Sequence, residues 1–427
     1  MTVNIGKSWS KIKPLLVFLV PLVLLPLPLI QKDSVATFAY CLSIIAIFWV
    51  FEILNIYVTS LLPMILLPLA GIAKPSSLAK EYMPDVCMLF IGTLILACGV
   101  EKTGVHRRMA LLTLKVFGGS TRSLMFGLML VSWFLSMWIS NTATTALMLP
   151  VIEAIFGVFE GKLEKTESDS ENSKSKLPDS ITKGLTLAIA YGANIGGMGT
   201  LTGTPPNLVC SSLMDENFPC YEPKLSYANW LIFALPISVV FFILTYCYMN
   251  VYWFGLPFSK RNSKKYQEFG GDEILQVINQ QYNSLPKMAF NEYYCVFTLI
   301  LMVTLMFFKS PGFMTGWADL YPTAEKPSDS TIALLLAGLL FFVPSKFETN
   351  FKKLDFSRPI ITWKEFQNHC PWGTIILIGS GVALSETSTT SGFSQYIADL
   401  LEDLAGLPRV AILYISGPAS SSSFFNI

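Results

Sequence analysis

Two polar clusters interrupt apolar sequence at positions where a membrane helix would be expected to continue. The first is SMWISNTATTALMLP, which sets Ser136, Ser140, Asn141 and Thr142 among residues otherwise suited to lipid or a helix core. The second is ANIGGMGTLTGTPPN, with Gly196, Gly197, Gly199 and Gly203 followed by Pro205, Pro206 and Asn207. Successive prolines cannot continue a helix, because each lacks an N–H and pushes its predecessor out of the helical region. Irregular backbone at membrane depth is tolerated only where it is buried in protein or lines a cavity. Two such breaks therefore make an ion site. Half-helix N-termini offer N–H groups to an anion, and freed carbonyls with hydroxyls suit a hard cation such as sodium. The glycines permit close backbone approach to a ligand, and Asn207 can bridge the loose ends. The same residues would also suit a Ser/Thr packing interface or a merely kinked structural helix.

The elements that must carry these clusters follow from composition. The 427 residues are 52% hydrophobic, 13% aromatic and 14% charged, with mean hydropathy +0.52 and net charge +1. Soluble domains carry about 25% charged residues, so the chain reads as an all-α polytopic membrane protein. Thirty Lys plus Arg against 29 Asp plus Glu excludes a basic nucleic-acid binder. The eight cysteines show no CxxC and sit mostly in apolar runs, as small buried hydrophobes do. His106 and His369, the only histidines, lack the spacing of metal or triad chemistry. An enzyme is not expected, and no organic cofactor is implied.

Apolar runs of bilayer length predict helices near Pro14–Ile30, Val35–Phe51, Ile53–Ala73, Pro84–Val100, Ile181–Leu213, Tyr227–Val251, Ala289–Phe308, Asp329–Pro344 and Pro371–Glu386. The run from Arg122 to Phe159 is too long for one crossing and is broken at Ser140, so it is expected to be a re-entrant hairpin. With the N-terminus cytoplasmic, that topology puts 23 of 30 Lys/Arg inside, as the positive-inside rule asks. The N-terminal stretch is read as a retained helix rather than a signal peptide. Glu160–Asp179 reads as a disordered cytoplasmic loop. Glu52 and Glu101 are expected at membrane interfaces, and Glu402 with Asp403 at the solvated end of an amphipathic segment.

An internal repeat emerges at an offset of 287: Pro84, Ile91 and Gly92 align with Pro371, Ile378 and Gly379, and one inserted residue aligns Gly104 with Gly392. The charge pattern gives the two copies opposite orientations, as in inverted-repeat transporters. The boundaries expected are scaffold helices over 1–83, a first transport region over 84–226, second-repeat scaffold over 227–370, and the start of a second transport region over 371–427. The first transport region comprises hairpin 122–159, loop 160–180 and broken helix 181–213. The counterpart of Ser140 would fall at 428, beyond Ile427, and SGPASSSSFFNI stands where the second hairpin should begin. The second repeat is thus expected to be incomplete.

WISNTATTALMLP and YGANIGGMGTLTGTPPN, with FEILNIYVTSLLPMILLPLAGI and MLFIGTLILACGVEKTGVHRRMALL, resemble the divalent anion/sodium symporter family, the INDY-type sodium-coupled carboxylate transporters. The resemblance extends to about Ile415. It implies an elevator-type homodimer, in the plasma membrane, that couples sodium ions to a small di- or tricarboxylate such as succinate or citrate, with sulfate as the alternative. It further implies sodium on Ser136, Ser140, Asn141 and the Gly203 backbone. A substrate carboxylate would lie on Ser140, Asn141, Thr142 and the Thr204–Pro205 turn. Family members carry a second Ser-Asn-Thr hairpin, so the resemblance implies a C-terminally truncated chain. Its alternative role would be a non-transporting form that dimerises with and regulates a full-length symporter.

Overall fold

The computed structural model describes residues 5–117, 120–166, 179–217, 225–255, 271–312, 314–321, 326–345 and 358–402. Among them the structure is helical, and the one strand-type pairing is an isolated bridge between Pro344 and Pro359. Two compact units form, Met1–Met88 with Pro371–Ile427, and Leu89–Cys370.

The chain opens with α1 (Ile5–Leu24), α2 (Pro26–Ile30) and α3 (Ser34–Val50), followed by α4 (Ile56–Thr59), α5 (Leu62–Leu69), α6 (Pro75–Glu81) and α7 (Asp85–Thr103). Two expected spans are interrupted. Pro26 separates α2 from α1, and Pro63 restarts the helix as α5 after a turn at Ser60–Leu61, since neither proline can donate to the preceding turn. Glu52, expected at an interface, is an exposed turn residue with φ 45°.

The chain continues with α8 (Val105–Phe117), α9 (Thr121–Ser136), α10 (Asn141–Thr166), α11 (Asp179–Met198), α12 (Pro205–Asn217) and α13 (Tyr227–Phe254). Then come α14 (Gly271–Asn283), α15 (Phe290–Phe307), α16 (Asp329–Gly338), α17 (Trp363–His369), α18 (Trp372–Thr390) and α19 (Phe393–Glu402). Among the described residues, Ile12–Ile30, Pro75–Thr103, Tyr227–Phe254 and Phe290–Phe307 are long and apolar enough to cross a membrane.

In the first unit, Phe38, Cys41 and Ile45 of α3 pack with Leu67, Leu78, Ala383 and Leu384. Gly379 of α18 lies so close to the Tyr82 carbonyl that no side chain would fit, and Ser34 Oγ donates to the Ser391 carbonyl at 3.1 Å. In the second unit, α8, α9, α10, α11 and α13 share a core through Leu111, Leu114, Met125, Met129, Met148, Ile189 and Phe242. Helix α8 occupies sequence that lies outside the predicted spans. It is amphipathic, burying Val105, Ala110, Leu111 and Leu114 while exposing Arg107 and Lys115. Arg108 Nε and Nη2 meet the two Glu292 carboxylate oxygens at 2.8 and 3.3 Å, and Nη2 also donates to the Pro286 carbonyl at 2.7 Å.

The repeat has a geometric counterpart. Helices α7 and α18 have 19 residues each; each ends at a glycine in the left-handed region, Gly104 at φ 77° and Gly392 at φ 80°, and an amphipathic helix follows each. Gly92 and Gly379 also correspond, since a Cβ on Gly92 would stand 2.7 Å from Ala333 Cβ while Gly379 abuts backbone.

The expected hairpin is two helices, α9 and α10, that pack on one another and on α8 across a break at Met137–Ser140. The expected loop from Glu160 is shorter than its sequence suggested: α10 stays helical to Thr166, and Asp179 already opens α11. The rest of that loop, the acidic Asp403 and the Ser-rich tail lie outside the described residues, as does the side chain of Glu402.

Candidate binding site at two helix breaks

Helix α9 stops at Ser136, and α10 starts at Asn141 with Ser140 as its cap. Ser140 Oγ accepts from the Ala143 amide at 3.3 Å, and its carbonyl accepts from the Thr144 amide at 2.9 Å. The second break is narrower than its glycines suggested. Gly196 and Gly197 remain helical in α11; the unwound stretch is Gly199–Thr204, after which Pro205 and Pro206 form the first turn of α12. Proline is accommodated there because first-turn N–H groups have no helical partner.

The end of α11 leaves backbone carbonyls that a buried segment must satisfy. Asn207 Nδ2 donates to the carbonyls of Gly197 at 3.0 Å and Thr200 at 2.8 Å, the bridging role expected of it. Trp230 Nε1 donates to the Met198 carbonyl at 3.2 Å and Ser238 Oγ to that of Ile195 at 2.7 Å. Thr200 Oγ1 donates to the Met137 carbonyl at 2.6 Å, tying the second break to the first.

At the first break, Asn141 faces the last turns of α11. Ser136 Oγ, fully buried, donates to Asn141 Oδ1 at 2.5 Å, and Asn141 Nδ2 donates to Asn194 Oδ1 at 3.3 Å. Gly197 lies directly under this carboxamide; a Cβ there would come within 3.0 Å of Asn141 Cγ and 3.1 Å of Nδ2. A Cβ on Gly203 would meet the Gly197 carbonyl at 2.5 Å and Thr200 Oγ1 at 2.9 Å. The glycines thus serve approach of the chain to itself. Gly199 is less crowded, since a Cβ there would stand 3.2 Å from the Gly196 carbonyl, a tight contact but no overlap.

Of the expected residues, Ser136, Asn141, Gly197, Gly203 and Asn207 are therefore linked through direct contacts. Ser140 and Thr142 sit together at the α10 N-terminus, their hydroxyls 3.5 Å apart, with Thr142 exposed. Thr204 and Pro205 form the entry turn of α12, where the Thr204 carbonyl accepts from the Asn207 amide at 3.2 Å. The side chains here are neutral, and oxygen acceptors stand beside a helix N-terminus. A hard cation and an anion therefore both have suitable partners.

Three participants escaped the sequence patterns. Asn194 carries no signal beyond lying in the glycine-rich run. Thr200 is likewise revealed only by its bond to Met137. Gly192, with Gly196, makes a G-x-x-x-G spacing that was legible. A Cβ on Gly192 would stand 2.6 Å from the Met129 carbonyl, and one on Gly196 would collide with that of Trp133, so α11 lies backbone to backbone on α9.

The histidines lie away from these breaks. His106 Nδ1 is 3.3 Å from the Val100 carbonyl and His369 Nδ1 is 2.8 Å from that of Glu365. Among the described residues no group of three His, Cys, Asp or Glu side chains could hold a metal. Five described cysteines are buried, as expected of small hydrophobes, whereas Cys210 and Cys247 are exposed.

A model of the sodium:sulfate symporter transmembrane region matches residues 6–416. The chain belongs to the sodium:sulfate symporter family. Within it, the chain is 35% identical over 449 residues to Solute carrier family 13 member 2 of Mus musculus, covering 95% of this chain and 77% of that protein. It is 34% identical over 442 residues to the Na(+)/citrate cotransporter of Mus musculus, covering 93% of this chain and 76% of the relative. Protein I'm not dead yet of Drosophila melanogaster is 33% identical over 430 residues, covering 94% and 72%. This symporter family chain thus spans about three quarters of the length of these relatives. It is an all-α, multi-pass integral membrane protein of a transporter family, as the resemblance implied.

Proposed function

We propose that the chain performs sodium-coupled symport of di- and tricarboxylates, the succinate and citrate class. The observation that carries this reading is the Asn141 carboxamide at the first break, with Ser136 on one side and Gly197, in the last turn of α11, on the other. Sodium would take oxygens from Ser136, Ser140, Asn141 and the Gly203 backbone. A substrate carboxylate would take the α10 N-terminus with Ser140, Asn141 and Thr142, together with the Thr204–Pro205 turn. The names of relatives support the cation and the substrate class, since one is a Na(+)/citrate cotransporter.

Because these side chains are neutral, sodium must offset the substrate's charge. Each net charge moved inward is worth ~2.3 kcal/mol per 100 mV, so excess sodium can pull a polyanion against its gradient. The working form is a homodimer in the plasma membrane with a cytoplasmic N-terminus. Sulfate is the second reading, favoured by the description of the matching family model.

The test is uptake of labelled succinate, citrate and sulfate by membranes carrying this chain, in sodium and in choline. The expected result is sodium-dependent carboxylate uptake that Asn141→Ala abolishes at equal surface expression. Uptake indifferent to sodium, or untouched by Asn141→Ala, would refute the assignment; a preference for sulfate would replace the substrate.

A further inference from the structure

A carboxamide has two ends, and only its oxygen can coordinate a cation. Ser136 does not by itself decide which end of Asn141 faces it, because a hydroxyl both donates and accepts. The choice falls to whatever holds the other end. In the structure that group is Asn194 on α11; its carboxamide could present either end, and it presents Oδ1, which accepts from Asn141 Nδ2 at 3.3 Å. Gly197, one turn further along the same helix, lies against the Oδ1 end of Asn141 and presents no N–H or O–H from its side. Helix α11 is itself fixed against α9 through Gly192 and Gly196, so Asn194 is held at a set distance from the break that carries Asn141. Its side chain is exposed, and it is not needed to fill the core.

We propose that Asn194 is a positioning residue for sodium: by accepting from Asn141 Nδ2 it turns Asn141 Oδ1 toward Ser136 and the glycine backbone. The inference rests on the sodium site proposed above. It predicts a direction as well as a contact. Asn194→Ala removes the acceptor, so the Asn141 amide is free to flip. Asn194→Asp can only accept and therefore enforces the same orientation.

The test uses the purified chain in detergent and reads the rise of the melting midpoint with sodium, choline keeping ionic strength constant. A ligand that binds only the folded state stabilises it in proportion to ln(1 + [L]/Kd), so the titration yields a half-saturating sodium concentration without requiring transport. Asn194→Ala is expected to raise that concentration about twofold, because a carboxamide with no preferred end presents its oxygen about half the time, with only a small fall of the midpoint in choline. Asn194→Asp is expected to titrate at or below the half-saturating concentration of the unaltered chain. If the unaltered chain shows no sodium-specific shift, the sodium site fails and this inference with it. If it shows one and Asn194→Ala titrates identically, or Asn194→Asp titrates like Asn194→Ala, the positioning role alone is overturned.

Discussion

Gly197→Ala should separate the binding site from the fold. The new methyl would fall on the Asn141 carboxamide, overlapping Oδ1 and standing 3.0 Å from Cγ and 3.1 Å from Nδ2, where ordinary contacts begin near 3.4 Å. The obstacle is a side chain rather than backbone, so Asn141 can swing away. In doing so it gives up the bonds to Ser136 and Asn194, each worth about 0.5–1.5 kcal/mol. The combined loss of about 1–3 kcal/mol weakens sodium binding about 5- to 150-fold. Stability moves less, because alanine gains up to about 1 kcal/mol over glycine inside a helix while crowding costs about 1–3 kcal/mol. The net change is about 2 kcal/mol or smaller. Gly381→Ala in α18 is the control, since nothing lies within 4 Å of a Cβ there and the helical gain should appear alone. The assay is the sodium titration of the melting midpoint on all three proteins. A Gly197→Ala chain that keeps the half-saturating sodium concentration of the parent would refute the packing argument.

Asn207→Ala should lower the melting midpoint by the equivalent of roughly 2–5 kcal/mol, because it strands the Gly197 and Thr200 carbonyls at a buried site; a midpoint equal to the parent's would contradict that accounting. Arg108→Ala leaves Glu292, with a side chain only 8% exposed, without its guanidinium, at a cost of about 3–5 kcal/mol. The double replacement Arg108→Met with Glu292→Leu should recover most of this in the same melting assay, and no recovery would count against the ion pair as the cause. Burial alone would raise the Glu365 carboxyl, yet the Lys102 ammonium at 2.6 Å and the Thr362 donors hold it down at about 2. A depressed carboxylate contributes stability above its unfolded value, about 4.3, and loses it as pH falls toward 2. Lys102→Met should therefore flatten the decline of the midpoint between about pH 5 and pH 3, whereas an unchanged slope would assign that decline elsewhere.

The breaks were legible because their causes are local. A 38-residue apolar run with a polar centre must break near that centre, and Pro205 with Pro206 must restart a helix whatever surrounds them. Gly104 and Gly392 were legible as a repeat, and the left-handed backbone supplies the reason they align. Helix α8 was hidden because its charges resemble a loop when counted by type; only their spacing places them on one face. The Arg108–Glu292 pair spans 184 positions, and no sequence pattern brings those residues together. Asn194 escaped for a different reason. Its importance lies in which atom of Asn141 it touches, and composition does not encode the direction of a hydrogen bond.

The backbone contact between α9 and α11 also sets the number of independent motions available to the two breaks. With Gly192 seated on Met129 and Gly196 on Trp133, one helix cannot slide along the other without steric collision. The Thr200 bond to Met137 adds a cross-brace at the breaks themselves. The two breaks therefore behave as one mechanical part. A cation and an anion held there would travel as passengers in a closed carriage, and their exposure to either side would be timed by displacement of the whole assembly. The barrier to crossing would then reside at the perimeter of this part, so substitutions far from any ligand could slow turnover while leaving equilibrium affinity intact.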